Sequence, residues 1–132
     1  MTRATNPDIL WIEDDAAVSS LYTEALQKLG YRVRVESDGL RGLELARSDD
    51  YDFILVDLML PSMSGSKLLH ALRGNAAVPP LHSKIIIMTN LEQRPEIRSS
   101  IERLADAYLI KAEVTPKQLA SLLARMTTPE TT

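Results

Sequence analysis

Four short apolar runs in this chain are each followed at once by polar residues able to do chemistry. DILWI (8–12) leads into Glu13, Asp14 and Asp15, FILV (53–56) into Asp57, KIIIM (84–88) into Thr89 and Asn90, and AYLI (107–110) into Lys111. If the runs are parallel strands of one sheet, these groups meet at one edge, because ligands of open parallel sheets bind beyond the carboxyl ends of the strands, where strand order reverses. Carboxylates gathered there repel one another, and the cost is tolerable only with a cation among them. Magnesium is the natural candidate, since it prefers oxygen ligands and commonly takes a few carboxylates plus water and substrate phosphate. A carboxylate beside such an ion, faced by a lysine and a hydroxyl, is equipped for phosphoryl transfer: metal and lysine neutralise phosphoryl oxygens while the carboxylate attacks phosphorus. Taken singly, each group has an ordinary reading, the acids as solvated loop residues, Thr89 as a turn residue and Lys111 as a surface cation. Their convergence on one edge favours the chemical one.

The elements that must position these groups are legible as alternating apolar runs and helical patterns, the signature of βα units building a parallel sheet covered on both faces. The remaining strand, Arg32 to Val35 (RVRV), alternates instead of running apolar and therefore belongs at an edge. Val18, Leu21, Tyr22, Ala25 and Leu29 fall at helical spacing ahead of Gly30, which suits a left-handed helix end. Leu40, Leu43, Leu45 and Ala46 suggest a second helix; Ser64 can cap a third from Gly65 to about Arg73, before Gly74; and Ile97, Ile101, Leu104 and Ala105 give a fourth. In the fifth, Thr115 and Gln118 can form a reciprocal capping box, Pro116 suits the first turn, and Leu119, Leu122, Leu123 and Met126 supply an apolar face. The paired prolines of GNAAVPPLHS (74–83) make that segment a surface loop.

With 132 residues, 45% of them hydrophobic and 25% charged, one core and one domain are expected. A net charge of −3 argues against direct nucleic-acid binding, which runs on clustered Lys and Arg. No run approaches the roughly 18 apolar residues of a membrane span, and the start, MTRATNPD, lacks the apolar core of a signal peptide, so a cytoplasmic protein without a membrane partner is expected. Without cysteine, thiolate catalysis and the usual zinc motifs are excluded, and any metal site rests on carboxylates. Trp11 reads as core within a buried strand, and His70 and His82 receive no role. The arginines between Arg94 and Arg103 alternate with Glu96 and Glu102 and read as a solvated, salt-bridged helix face.

IEDD after the first strand, VDLMLPSMSG around the third, MTN after the fourth and YLIKA after the fifth together resemble the receiver domain family of two-component response regulators. The resemblance runs from Asn6 to Met126, leaving 127–132 as a polar tail or the start of a linker, and implies a flavodoxin-like (βα)5 fold with strand order 2-1-3-4-5. Carried over position by position, it implies that Glu13, Asp14, Asp57 and the Met59 backbone carbonyl hold Mg2+, that Asp57 is the phosphoacceptor, and that Lys111 pairs with phosphoryl oxygens. Thr89 would move to hydrogen-bond the phosphate and Tyr108 would swing inward behind it, although Tyr108 reads equally well as a core aromatic. The family's Pro-x-Met-x-Gly turn stands here as Pro61, Met63 and Gly65, while Asp15 falls one place beyond the matching acidic pair and is given no metal. The implied partners are a histidine kinase or histidine phosphotransfer protein, a downstream effector, and a second copy through helix four, strand five and helix five. The resemblance further implies a signalling phosphoacceptor that catalyses its own modification, not an enzyme acting on other substrates.

The chain departs from the family pattern in three ways. Ala112 stands where the family usually has a proline after a cis peptide; a cis bond before a non-proline costs about 3 kcal/mol, so a trans bond and a rearranged loop are expected. Asn90 replaces a smaller residue and stands to narrow access to Asp57. Met59 and Leu91, two places past Asp57 and Thr89, are apolar and poorly suited to orienting hydrolytic water, which predicts slow loss of the phosphoryl group. Two rival readings are a phosphatase with an aspartate nucleophile on strand one and a receiver-like interaction module that works without phosphorylation. The first is disfavoured because the strand-one acids are adjacent and not alternating, the second because Glu13, Asp14, Asp57, Thr89 and Lys111 are all present.

Overall fold

The structure, a computed structural model, describes residues 8–48, 50–60, 63–73, 81–90 and 93–127. Asn6, Pro61, Ser62, Gly74, most of the proline-containing loop, Leu91 and the tail beyond Thr127 lie outside them. Strands and helices alternate as β1 (Asp8–Ile12), α1 (Ala16–Lys28), β2 (Arg32–Glu36), α2 (Gly39–Ser48), β3 (Phe53–Val56), α3 (Gly65–Arg73), β4 (Lys84–Thr89), α4 (Pro95–Leu104), β5 (Ala107–Ile110) and α5 (Pro116–Thr127). All strand pairs are parallel and the sheet order is β2-β1-β3-β4-β5, the flavodoxin-like doubly wound arrangement expected, with RVRV at one edge.

Side chains alternate across the sheet and so build two cores. Leu10, Ile12, Ile54, Val56, Ile85 and Ile87 face α2, α3 and α4 through Leu45, Leu68, Leu69, Leu72 and Ile101. Ile9, Trp11, Phe53, Leu55, Ile86 and Met88 face α1 and α5 through Tyr22, Leu26, Leu119 and Leu123. Each fully buried side chain of this size contributes about 1.5–3 kcal/mol of transfer free energy, which is why the three central strands are apolar at 9–12, 53–56 and 85–88. At the two sheet edges β2 and β5 are only partly covered.

The helix ends follow the signals in the sequence. Gly30 takes φ 101°, with its N–H donating to Gln27 O and the Tyr31 N–H to Leu26 O, the paired bonds of a Schellman end. Ser64 Oγ accepts from Lys67 N at 3.1 Å, and Thr115 and Gln118 form the reciprocal capping box, at 2.8 and 3.1 Å. Asp15 caps α1, its Oδ1 accepting from Ala17 N and Val18 N, in keeping with its exclusion from the metal set. The inward face of α1 differs from the sequence reading. Leu21 and Leu29 are 63% and 60% exposed, whereas Tyr22 and Leu26, one helical turn apart, carry the packing. Because α1 ends at Lys28, Leu29 is already past the last turn, and Leu21 lies about 100° around the axis from Tyr22.

Gly65 is fixed by space. A β-carbon there would lie 2.4 Å from Asp57 O and from Leu58 Cα, so only glycine lets α3 start against the end of β3, where Gly65 N–H donates to Leu58 O at 3.1 Å. Gly65→Ala should therefore lower the free energy of unfolding by at least about 2 kcal/mol, as overpacking against backbone does, and Thr115→Ala by about 1 kcal/mol through the lost cap. Urea titrations followed by circular dichroism would read both; equal midpoints for Gly65→Ala and wild type would contradict the close approach.

Candidate functional site

Strand register delivers the polar strand ends to one place. Ile12 pairs with Val56, so Glu13 and Asp57 leave β1 and β3 side by side, where the chain departs toward β2 on one side and β4 on the other. Glu13 N–H donates to Glu36 O and Asp57 N–H to Ile12 O, which carries the ladder one residue beyond the strands. Thr89 closes β4, between the strands that deliver Asp57 and Lys111, and is fully buried.

Lys111 reaches back from the end of β5 across β4. Its Nζ lies 2.5 Å from Glu13 Oε1 and 3.0 Å from Asp57 Oδ2, with all three side chains nearly buried. The other carboxylate oxygen of Asp57 accepts from Met59 N at 3.0 Å, and Glu13 Oε2 accepts from Asp15 N at 3.1 Å. Burial pushes the Glu13 carboxyl above its ordinary pKa, only partly offset by Lys111 and by the Asp15 N–H, with the Asp57 charge adding to the rise. Burial alone would lower the Lys111 ammonium, but its hydrogen bonds and charge pairing with Glu13 and Asp57 outweigh burial and hold it above its ordinary value.

Asp14 is exposed at the mouth and offers a carboxylate oxygen that lies, with one each from Glu13 and Asp57, within 4.8 Å of the others. Three formal negative charges against the one positive charge of Lys111 leave a balance of −2, which is what a divalent cation neutralises. Hard oxygen donors at this spacing suit magnesium, so the donor set fits the ion that the sequence implied.

The structure thus brings Glu13, Asp14, Asp57 and Lys111 together and sets Thr89 on the strand between. Met59 contributes its backbone to Asp57 while its side chain is exposed. Tyr108, on β5, is partly buried against the core beneath α4 and is capped by the Arg98 guanidinium, 4.4 Å from its ring centre. Arg98 also pairs with Glu102 at 3.4 Å, so the solvated salt-bridged face foreseen for α4 holds, but its stacking on Tyr108 was not foreseen. After Lys111 the chain forms a single 3-10 turn, Lys111–Glu113. Two contacts of that turn were missed from sequence: Asn90 Oδ1 accepts from Ala112 N at 2.8 Å, and Tyr22 Oη on α1 lies 3.2 Å from Lys111 O and 2.5 Å from Val114 O. The signal for the first was available, since Asn90 and Ala112 each stood out, and strand ends pairing as Thr89 with Ile110 bring the two loops together.

The family model of the response regulator receiver domain matches residues 9–124. Among curated proteins, the transcriptional activator protein PfeR of Pseudomonas aeruginosa is 36% identical over 120 residues, which are 91% of this chain and 36% of its own length. The transcriptional regulatory protein HprR of Escherichia coli is 35% identical over 118 residues, 89% of this chain and 49% of its own. The chain therefore spans half or less of the length of these relatives. Among solved structures, the BeF3-activated N-terminal receiver domain of Klebsiella pneumoniae RstA superposes with a TM-score of 0.73 at 33% identity, covering 90% of this chain and 94% of that one. A CheY-like response regulator receiver domain from Methanospirillum hungatei gives 0.77 at 27% identity, covering 92% and 94%. The strand-end geometry and these likenesses agree, and the chain belongs to the response regulator receiver family as a receiver domain of the two-component type.

Proposed function

We propose that Asp57 accepts a phosphoryl group from a phosphohistidine of a histidine kinase or phosphotransfer protein, and that the domain passes the resulting change of shape to a downstream effector. The observation that carries this reading is the Asp57 carboxylate held between Lys111 Nζ and the Met59 N–H at the reversal point of the sheet. A carboxylate oxygen of Asp57 attacks phosphorus, the bond from phosphorus to the donor's imidazole nitrogen breaks, and that nitrogen keeps the electron pair and takes up a proton. Lys111 turns its ammonium to the phosphoryl oxygens, compensating charge that Asp57 and Glu13 hold beforehand. Glu13, Asp14, Asp57 and the Met59 carbonyl would hold Mg2+, which when bound supplies further charge neutralisation at the phosphoryl group.

The response runs through Thr89 and Tyr108 toward the surface of α4, β5 and α5, where an effector or a second copy of the chain would dock; the domain makes no direct nucleic-acid or membrane contact of its own. No helix among the described residues is long and apolar enough to cross a membrane, and the reading puts the domain in the cytoplasm beside its phosphodonor. With exposed Met59 two places past Asp57, water is poorly oriented for hydrolysis and the phosphoryl group is lost slowly.

Intact mass after incubation with acetyl phosphate tests the reading. Wild type should gain a single phosphoryl adduct with magnesium and none without it, Asp57→Ala should gain none, and Lys111→Ala should gain it far more slowly. No adduct on wild type under any condition would favour a phosphorylation-independent interaction module. Calorimetric titration with magnesium should show Asp14→Asn binding at least about tenfold more weakly than wild type, since even groups outside the metal's own ligands are worth that much. Because Asp14 is exposed, its thermal midpoint without magnesium should stay near that of wild type.

A further inference from the structure

We infer that Tyr22 and Asn90 are positioning residues for Lys111, clamping from two separate elements the turn that carries it. The inference rests on the reading that Lys111 serves a phosphoryl group on Asp57. Lys111 has a long side chain with much rotamer freedom to lose, and its ammonium must stay on Glu13 and Asp57 at once. Its own backbone belongs to a single 3-10 turn closed by one long bond, Val114 N–H to Lys111 O at 3.3 Å, which by itself fixes little.

Two side chains from elsewhere in the fold supply the missing restraint. Tyr22 reaches up from α1 with a nearly buried ring, braced edge-on against Trp11 with ring centres 5.4 Å apart. Its hydroxyl has one proton, which goes mainly to Val114 O at 2.5 Å and leaves Lys111 O as a weaker acceptor at 3.2 Å. From the loop immediately after β4, Asn90 accepts from Ala112 N at 2.8 Å. The clamp therefore grips the carbonyl of Lys111, the N–H of the next residue and the carbonyl that ends the turn. A proline at 112 would offer Asn90 no N–H, so the asparagine can hold the turn only because residue 112 is not proline.

Tyr22→Phe keeps the ring and its packing on Trp11 and removes only the hydroxyl, and Asn90→Ala removes only the amide. Calorimetry on the full chain separates a positioning role from a structural one: magnesium alone reports the carboxylates, while beryllofluoride added with magnesium reports the phosphoryl pocket that includes Lys111. Each variant should bind magnesium like wild type but beryllofluoride about fivefold more weakly, the population change that one net hydrogen bond controls, with a matching drop in the phosphorylation rate from acetyl phosphate. In an Ala112→Pro background, Asn90→Ala should change nothing further. Wild-type beryllofluoride affinity in both Tyr22→Phe and Asn90→Ala overturns the clamp while leaving the function of Asp57 intact, as does an equal loss of magnesium and beryllofluoride binding, which would mark a merely structural role. A wild type that takes up neither beryllofluoride nor a phosphoryl group overturns the functional reading and the clamp with it.

Discussion

The structure depends on one ammonium held between two buried carboxylates. Removing Lys111, Glu13 and Asp57 from water costs several kcal/mol per charge, and their attraction offsets this only if the geometry is good and the remaining oxygens find donors. Both requirements are met by backbone: Met59 N–H serves Asp57 and Asp15 N–H serves Glu13. Three carboxylates against one ammonium leave the site short of positive charge as it stands, and burial holds the Glu13 carboxyl above its ordinary pKa despite the lysine. That shortage makes the edge receptive to a cation, and a group that only filled space there would leave it uncorrected.

Such a triad needs three strands that end at matching heights and stay there. Parallel pairing of β1 with β3 sets Glu13 level with Asp57, and the apolar layers on both faces hold the sheet rigid beneath them. Gly65 then draws the start of α3 against the backbone of Asp57 and Leu58, so the loop carrying Met59 departs at an angle that aims its N–H back at the carboxylate. The scaffold is over-determined, whereas the turn carrying Lys111 lies outside both cores and depends on side chains that reach out to it.

This division decides what the sequence could reveal. Strands buried on both faces must be apolar wherever they are buried, so the apolar runs within DILWI, FILV and KIIIM announced themselves, and the polar residue following each run was legible by position alone. Local caps were equally readable, because Thr115 with Gln118 and Ser64 with Lys67 interact within one helical turn. Helix faces were less so: an error of one residue rotates the apolar stripe by about 100°, and Leu21 was chosen where Leu26 is buried. The Asp38 cap on α2, whose Oδ2 accepts from Arg41 N, carried a local signal that the apolar pattern of the segment overshadowed. Contacts between distant loops, such as Asn90 with Ala112 or Tyr22 with Val114, have no local signature and emerge only when strand order and register are known.

The same reasoning bears on how a charge change at Asp57 can be felt elsewhere. On the proposed function, a phosphoryl group gives Lys111 new acceptors, so its bonds to Glu13 and Asp57 must be redistributed. The rigid frame of β1 and β3 has little freedom to follow, because both strands are fixed on each face. What can follow is the periphery: the loop after β4, tied to the turn after β5 by Asn90, and edge strand β5, where Tyr108 is only partly buried under Arg98. A cation over an aromatic ring at such a site is worth about 0.5–1 kcal/mol, small enough for a modest rearrangement to break and large enough to bias two arrangements of similar free energy. On that reading, strain introduced at Lys111 is directed toward the loop after β4 and edge strand β5 under α4, where the fold is soft.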